Sequence, residues 1–381
     1  MDGTVSLDWI ESAGCRVVNL LCKGSYKHVT EQLRKTPEQH VDDIRTVVLE
    51  AERRKIDVNI YLEDWSNGIK HSPDYVFLVI DALKGLPICR FMLPDTLGVL
   101  NPGNTYEYCK MMVDRYPDLR FDFHAHNDYD LAVANVYSAI RAGIKGIHTT
   151  VNGLGERAGN APLSSVLAVI KDQLGEETNL REEKINKASR LVETYSGVHI
   201  PPNKPIIGEH VFTQCAGVHA DGDSKNNLYC NDLLPERFGR VREYALGKTS
   251  GKANIRKNLE ALGIDMDEGS MRKVTERIIE LGDKKEMVTP EDLPYIISDV
   301  LHHDNALEDQ KIRILNYSLS LAQGLKPVAT LKIEINGEAY EESASGDGQY
   351  DAFVRALRRI YSRLNRPFPM LTNYSVSVSY T

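Results

Sequence analysis

Between residues 15 and 155 short runs rich in β-branched and aromatic residues alternate with longer amphipathic stretches, and this alternation constrains the fold more than any other feature of the chain. CRVVNLL (15–21) reads as a strand, and TPEQHVDDIRTVVLEAERRK (36–55) as a helix opening at Thr36 with Pro37 in its first turn. DVNIYLED (57–64) is a strand again, SPDYVFLVIDAL (72–83) a helix, ICRFMLPDT (88–96) a strand and PGNTYEYCKMMVDRY (102–116) a helix. LRFDFHAHND (119–128), the Ala-rich LAVANVYSAIRAG (131–143) closed by Gly143, and IKGIHTTVNGLG (144–155) complete the run. Strands separated by helices of this length are βα units of a parallel sheet. The pattern fits a (β/α)8 barrel or an open doubly wound sheet. Five such strands precede residue 155, whereas a closed barrel needs eight.

Beyond residue 155 the texture changes twice. Helical segments at 181–195 and 271–281 enclose a Gly- and Asn-rich middle, 201–253, with little periodicity. From about 311 the order is strand (KIRILNYSLSL), strand (PVATLKIEINGEAYEESA), helix (YDAFVRALRRIYSRL, 350–364) and strand (NYSVSVSYT), which reads as a separate small α+β module.

The bulk numbers exclude several function classes. A net charge of -8 gives no electrostatic reason to expect nucleic acid or an anionic membrane as partner. No apolar run approaches the roughly 20 residues that span a bilayer. The start, MDGTVSLDWIESAG, has no basic segment leading into an apolar one. The six cysteines (15, 22, 89, 109, 215, 230) form no CxxC pair and read as reduced thiols of a cytoplasmic protein.

Polar groups cluster at the strand ends: Glu63-Asp64, Asp95-Thr96, His124, His126, Asn127 and Asp128, then Asn152, Glu156, Arg157 and Asn160. In a parallel barrel all carboxyl ends meet at one face, so groups from four strands would converge there. On a strand, residues i and i+2 share a side, so His124 and His126 can both face the barrel axis while Phe121 and Phe123 face the helices. Alone, His-x-His reads equally as two hydrogen-bonded histidines. Beside carboxylates and amides at neighbouring strand ends it reads as a metal site, since imidazole suits borderline ions and oxygen donors extend the set. GLGERAGN (153–160) reads as a surface turn or as part of that site. It is no dinucleotide fingerprint, because the third glycine of GxGxxG is displaced by one place. SGDG (345–348) lacks the Lys-Ser/Thr tail of a P-loop.

FHAHND, followed after a helix by TTVNGLGERAGN, closely resembles the signature of the 2-isopropylmalate, homocitrate and citramalate synthase family of Claisen-condensing, metal-dependent TIM barrels. LPDTLG (93–98) is similar to its PDT-G strand end, GEHVFTQCAGVHADG (208–222) to its GEN-F…SGIHQDG run, and LGKTSGKANI (246–255) to its LGKHSG motif. EINGEAYEESASGDGQYDAFVRAL resembles the leucine-responsive domain of the isopropylmalate and citramalate synthases. The resemblance implies a partial TIM-barrel catalytic domain at 1–200, holding the last five barrel strands, a helical linker subdomain at 201–308 that contributes to the active site, and a partial α+β regulatory and dimerisation domain at 309–381. It implies a divalent ion (Mn2+, Zn2+ or Mg2+) held by His124, His126 and Asn160. Glu63 would lie near the reacting carbons, Thr96 would hold the keto-acid carboxylate, and His219 would do acid or base work, commonly in the partner's site of a homodimer. The expected reaction joins acetyl-CoA to a 2-keto acid, first 2-oxoisovalerate in leucine synthesis, with citramalate or homocitrate formation as the alternative. Leucine is the implied effector of the C-terminal module, with Gly346 and Gly348 letting backbone amides approach its carboxylate; a ligand-free dimerisation module is the other reading. The related lyases carry a reactive cysteine in a glycine-rich loop after the last strand, and none stands there in this chain.

Departures from the pattern matter as much. Nothing matches the TLRDGEQ-type first strand, whose Asp is a metal ligand and whose Arg polarises the keto acid. The chain reads as a piece of a longer synthase, or else as a degenerate homologue that binds or assembles without catalysis. Where the family has a substrate-side histidine in LHLFIATS, this chain has Asn19, although Ser25 is kept. Tyr61 shares Glu63's side of the strand and would either narrow the substrate pocket or pack in the core.

Overall fold

The computed structural model describes residues 4–215, 217–223, 228–248, 250–284, 288–301 and 312–368, and divides into two compact units, Met1–Ala245 and Leu246–Thr381. The expected last strand, NYSVSVSYT, lies outside the described residues. No described helix is long and apolar enough to cross a membrane, and none of the six cysteines, all among the described residues, forms a disulfide.

In the first unit α1 (Val5–Ser12) leads into β1 (Val17–Lys23), and α2 (Pro37–Arg53) follows. Helix α2 starts where expected because Thr36 caps it, its side chain accepting from the Gln39 amide while the Gln39 side chain returns to the Thr36 amide. Then come β2 (Asp57–Glu63), α3 (Trp65–His71), α4 (Pro73–Leu83), β3 (Ile88–Asp95), α5 (Pro102–Arg115), β4 (Phe121–Ala125), α6 (Ala132–Arg141), β5 (Gly146–His148), α7 (Leu163–Leu174) and α8 (Ile185–Ser196). Strand β5 is much shorter than 144–155 suggested, because the chain turns through a 3-10 turn at Val151–Gly153.

The five strands are parallel and ordered β1-β2-β3-β4-β5. A doubly wound sheet reverses its strand order at a switch point. This one never reverses, so it is a segment of barrel. Val58, Ile60, Leu62, Phe91, Leu93, Phe121 and Phe123 turn one face of the sheet into a core against α2, α4, α5 and α6. Phe123 is fully buried, and a phenylalanine so placed contributes about 1.5–3 kcal/mol. The alternate residues, Asn19, Asn59, Tyr61, Glu63, Arg90, Asp122, His124 and His148, therefore occupy the opposite face. The unit closes with a parallel pair, β6 (Thr213–Gln214) and β7 (Glu243–Tyr244), flanking α9 (Gly217–Asp223).

The second unit holds α10 (Lys252–Ala261), α11 (Glu268–Asp283) and α12 (Leu293–Leu301) around Ile255, Val274, Ile278 and Leu293. It ends in an antiparallel sheet of β8 (Ile312–Ser320), β9 (Val328–Ile335) and β10 (Glu338–Ser345), with α13 (Gln349–Arg363) on one face. Strand β9 is central. Its Leu331, Ile333 and Ile335 meet Ala356 and Ile360 of α13, while every residue of β8 is exposed.

Candidate functional site

The carboxyl ends of β1–β5 lie along one edge of the sheet and carry the polar residues singled out above. Register aligns Lys23 with Glu63, Pro94 with His124, and His124 with His148. The imidazoles of His124 and His126 are 5.0 Å apart between ring centres. His124 also faces His148 at 5.7 Å, and the Tyr61 ring meets both, edge-on to His124 at 5.8 Å and stacked on His148 at 6.5 Å.

A charged network lies below these rings. Asp122, 1% exposed, bonds Arg90 Nη1 at 2.8 Å, with His148 Nε2 at 3.7 Å and Arg120 Nε at 3.5 Å. Burial alone would raise its pKa, but the His148 imidazole and the Arg90 and Arg120 guanidiniums hold it at about 2. Burial, reinforced by its two histidine neighbours, pushes His124 down to about 4. His126 is lowered too, by burial and then by Arg157. Both imidazoles are thus neutral at pH 7, the form that donates a lone pair.

The GLGERAGN run is a built loop, zipped onto the end of β4. Asn127 N donates to Gly159 O at 2.9 Å, Asn160 N to Gly153 O at 3.0 Å and Ala161 N to Ala125 O at 3.1 Å, so that His126 and Asn160 face each other across an isolated antiparallel bridge. Gly159 has φ +84, and a Cβ there would stand 2.0 Å from the Gly153 carbonyl oxygen. A Cβ on Gly155 would stand 2.4 Å from the Asn160 amide nitrogen. Gly159 therefore requires glycine, and a side chain at 155 would push the Asn160 amide aside. Arg157 clamps the loop, bonding Asp128 at 2.7 and 2.9 Å and the Thr96 carbonyl at 2.8 Å.

His126 Nδ1 and Asn160 Oδ1 are buried without a hydrogen-bond partner among the described residues. Asn160 is oriented by its own Nδ2, which donates to Leu154 O at 3.1 Å. Two neutral imidazoles and an amide oxygen at one strand end suit a divalent cation. Among the described residues no group of three or more His, Cys, Asp or Glu is spaced to hold a metal.

The other expected residues are placed as follows. Glu63 is ion-paired with Lys23. Thr96 Oγ1 accepts from Asp64 N at 2.8 Å, which leaves its proton to donate. Asn19 accepts from Asn59 Nδ2 at 2.9 Å, and Ser25, buried, accepts from His28 N at 3.3 Å. His219, on α9, has its ring 4.4 Å from that of Tyr229 and tilted 34° to it, and no hydrogen bond or ring contact among the described residues ties it to the His124 group. Gly346 N already donates to Pro327 O at 3.0 Å, and a Cβ there would meet Ala352 N at 2.3 Å. The Gly346 amide is thus already engaged. Gly348 is the N-cap of α13 with open space around it. Four residues escaped the sequence reading: Lys23, Asp122, His148 and Tyr229. Asp122 had a legible signal, since it stands two before His124 and so shares its face.

Comparison with known proteins gives three family matches: residues 3–192 to HMGL-like, 206–286 to the homocitrate synthase post-HMGL domain, and 287–380 to the LeuA allosteric (dimerisation) domain. A putative (R)-citramalate synthase of Methanopyrus kandleri is 34% identical over 354 residues, 93% of this chain and 68% of that protein. A probable 2-isopropylmalate synthase of the same organism is 34% identical over 337 residues, 88% of this chain and 66% of that protein. An (R)-citramalate synthase of Methanocaldococcus jannaschii is 31% identical over 347 residues, 91% of this chain and 69% of that protein. The chain spans about two thirds of the length of these relatives.

Proposed function

Because this chain belongs to the HMGL-like, LeuA and homocitrate synthase superfamily of Claisen-condensing, metal-dependent TIM-barrel enzymes, we propose that it joins acetyl-CoA to a short 2-oxo acid, pyruvate ahead of 2-oxoisovalerate. Citramalate would then be the product, and the leucine-pathway expectation gives way to its alternative. One observation carries this choice. The Tyr61 ring, half-buried, rests against His124 and His148 and takes up space beside the His124–His126 pair, which favours a substrate without a branched side chain. Two of the three relatives described above bear the citramalate name, which agrees with that reading. In the same proposal the five strands are the last five of the barrel, because the GLGERAGN loop follows the final one.

His124, His126 and Asn160 would hold a divalent cation, which when bound polarises a carbonyl and stabilises negative charge developing on its oxygen. The chain's own groups do the rest. Thr96 donates its hydroxyl proton to the 2-oxo acid carboxylate and fixes its orientation. The Arg157 clamp and the two close-packed glycines keep Asn160 beside His126. The acetyl methyl is a weak acid and needs a base within hydrogen-bond reach; Glu63 and His219, the latter backed by Tyr229, are the candidates. Strand β8, with Ile312, Ile314, Tyr317 and Leu319 all exposed, would pair two copies through the C-terminal module, and Gly348 N would meet a small effector's carboxylate.

The test is a panel of 2-oxo acids with the full-length protein, read as CoA release. Pyruvate should lead by at least tenfold in kcat/KM, and Tyr61→Ala should narrow the gap to 2-oxoisovalerate. No CoA release with any 2-oxo acid would end the enzyme reading.

A further inference from the structure

Lys23 is the residue at this strand edge for which the reading above has no use. It is 9% exposed, a rare state for a lysine, and burying an ammonium is costly unless it is paired. Its main chain is held on both sides. The backbone N–H donates to His40 Nε2 at 3.1 Å, and the carbonyl accepts from the Tyr75 hydroxyl at 2.9 Å. His40 and Tyr75 are themselves buried. The next amide, Gly24 N, donates to the Glu63 carbonyl at 2.6 Å, and a Cβ on Gly24 would stand 2.5 Å from the Leu62 carbonyl oxygen. The ends of β1 and β2 are thereby locked together with Lys23 opposite Glu63. From that anchored Cα the side chain crosses to a single atom, Glu63 Oε2.

We propose that Lys23 is a positioning residue for Glu63: its ammonium occupies one carboxylate oxygen, Oε2, and turns the other, Oε1, toward the substrate. This deepens the condensation reading and rests on it. Among the described residues Oε1 has no hydrogen bond, so it is the oxygen left to meet a reacting group. A glutamate on a flexible stem, 25% exposed at its side chain, samples several rotamers in the absence of a partner. Tethering one oxygen to a buried cation removes that freedom before substrate arrives, which is the preorganisation that lowers the cost of reaching the reactive geometry. The tether also neutralises a negative charge that would otherwise repel the carboxylate of a 2-oxo acid.

The experiment uses the full-length protein with Lys23→Met and Lys23→Arg, each checked for native circular dichroism. Lys23→Met should lower kcat by about 10–100-fold while KM for both substrates stays within about threefold. Lys23→Arg, which keeps the charge, should recover at least tenfold of that loss. A kcat for Lys23→Met within twofold of the parent, or an effect confined to KM, overturns the proposal. Pulse labelling with an amine-reactive reagent, read by mass spectrometry, tests the pair without any assay of activity. Lys23 should label at least tenfold more slowly than the exposed Lys187, and Glu63→Gln should abolish that protection. If the parent releases no CoA with any 2-oxo acid while Lys23 remains protected, the condensation reading has failed and the Lys23–Glu63 pair stands. Labelling of Lys23 at the rate of Lys187 overturns the pair itself.

Discussion

The five-stranded sheet of the first unit and the three-stranded sheet of the second use their two faces in opposite ways. In the first, one face is apolar and buried under helices, while the other carries the Asn19–Asn59 pair, the Lys23–Glu63 pair and the cluster of Tyr61, His124, His148 and Asp122. In the second, α13 covers β9 and β10, and on that same face β8 reaches beyond the helix with Ile312, Ile314, Tyr317 and Leu319 exposed, Tyr317 meeting Phe353 of α13 edge-on at 6.1 Å. A polar face with partnered charges close together signals chemistry with small molecules. An apolar strand that overhangs its covering helix signals another protein surface. On the reading proposed above, the two functions are two different violations of the inside-apolar, outside-polar rule.

The largest test of that contrast falls on the histidines. His124→Ala or His126→Ala in the full-length protein should remove the divalent ion and lower activity by at least about 10³-fold, as expected for loss of several kcal/mol of charge stabilisation, with the fold intact. Metal analysis beside a steady-state assay reads both, and full metal content in both variants would make the pair ordinary polar residues. His219→Ala should keep the metal and lose about 10²–10⁴ in turnover.

Effects on stability come next. Gly159→Val forces a β-branched residue to φ +84 against the Gly153 carbonyl; strain of this kind costs about 1–3 kcal/mol, and urea unfolding should show it in the first unit alone, with metal affinity falling as Asn160 shifts. Asp122→Asn acts through pH. Asp122 is held at about 2, below its ordinary 3.8. Its contribution, about 2 kcal/mol, is therefore complete above pH 3.8 and lost as pH falls through about 2. The variant should be weaker by that amount at pH 7 and show a flatter decline in stability below pH 4. An unchanged pH profile would mean that the Arg90–Asp122–His148 network is idle.

The smallest effect on folding should come from β8. Ile314→Glu places a charge on an exposed strand and should change unfolding by no more than about 0.5 kcal/mol. Self-association, measured by sedimentation, should nevertheless weaken by more than tenfold. If association is untouched, the apolar face of β8 has another use and the contrast between the two sheets loses half its meaning.

Legibility in the sequence followed the same division. The βα alternation placed β2, β3, β4 and the capped start of α2 to within a few residues, because strand and helix periods are local properties. It overran β5, where the chain leaves the sheet after His148, since a turn at Asn152 with φ +61 leaves no trace in an apolar pattern. The motifs pointed to His124, His126 and Asn160. They were silent on Tyr229, ten residues beyond His219, because no local period relates a short helix to the loop that follows it.

By itself the sequence determined which residues share a face: His124 with His126 and Asp122, Tyr61 with Glu63, and the phenylalanines on the other side. Parity along a strand is a consequence of the pleat and needs no neighbour. Only the tertiary structure decided which faces meet. Lys23 reached Glu63, Tyr61 reached His148, and Asn160 was drawn beside His126 through interstrand register and a zipped loop. Register is set by the helices and turns between strands, by where glycine permits two backbones to touch, and by the cost of leaving a buried charge unpaired. Those are energies of the assembled chain, and no single segment contains them.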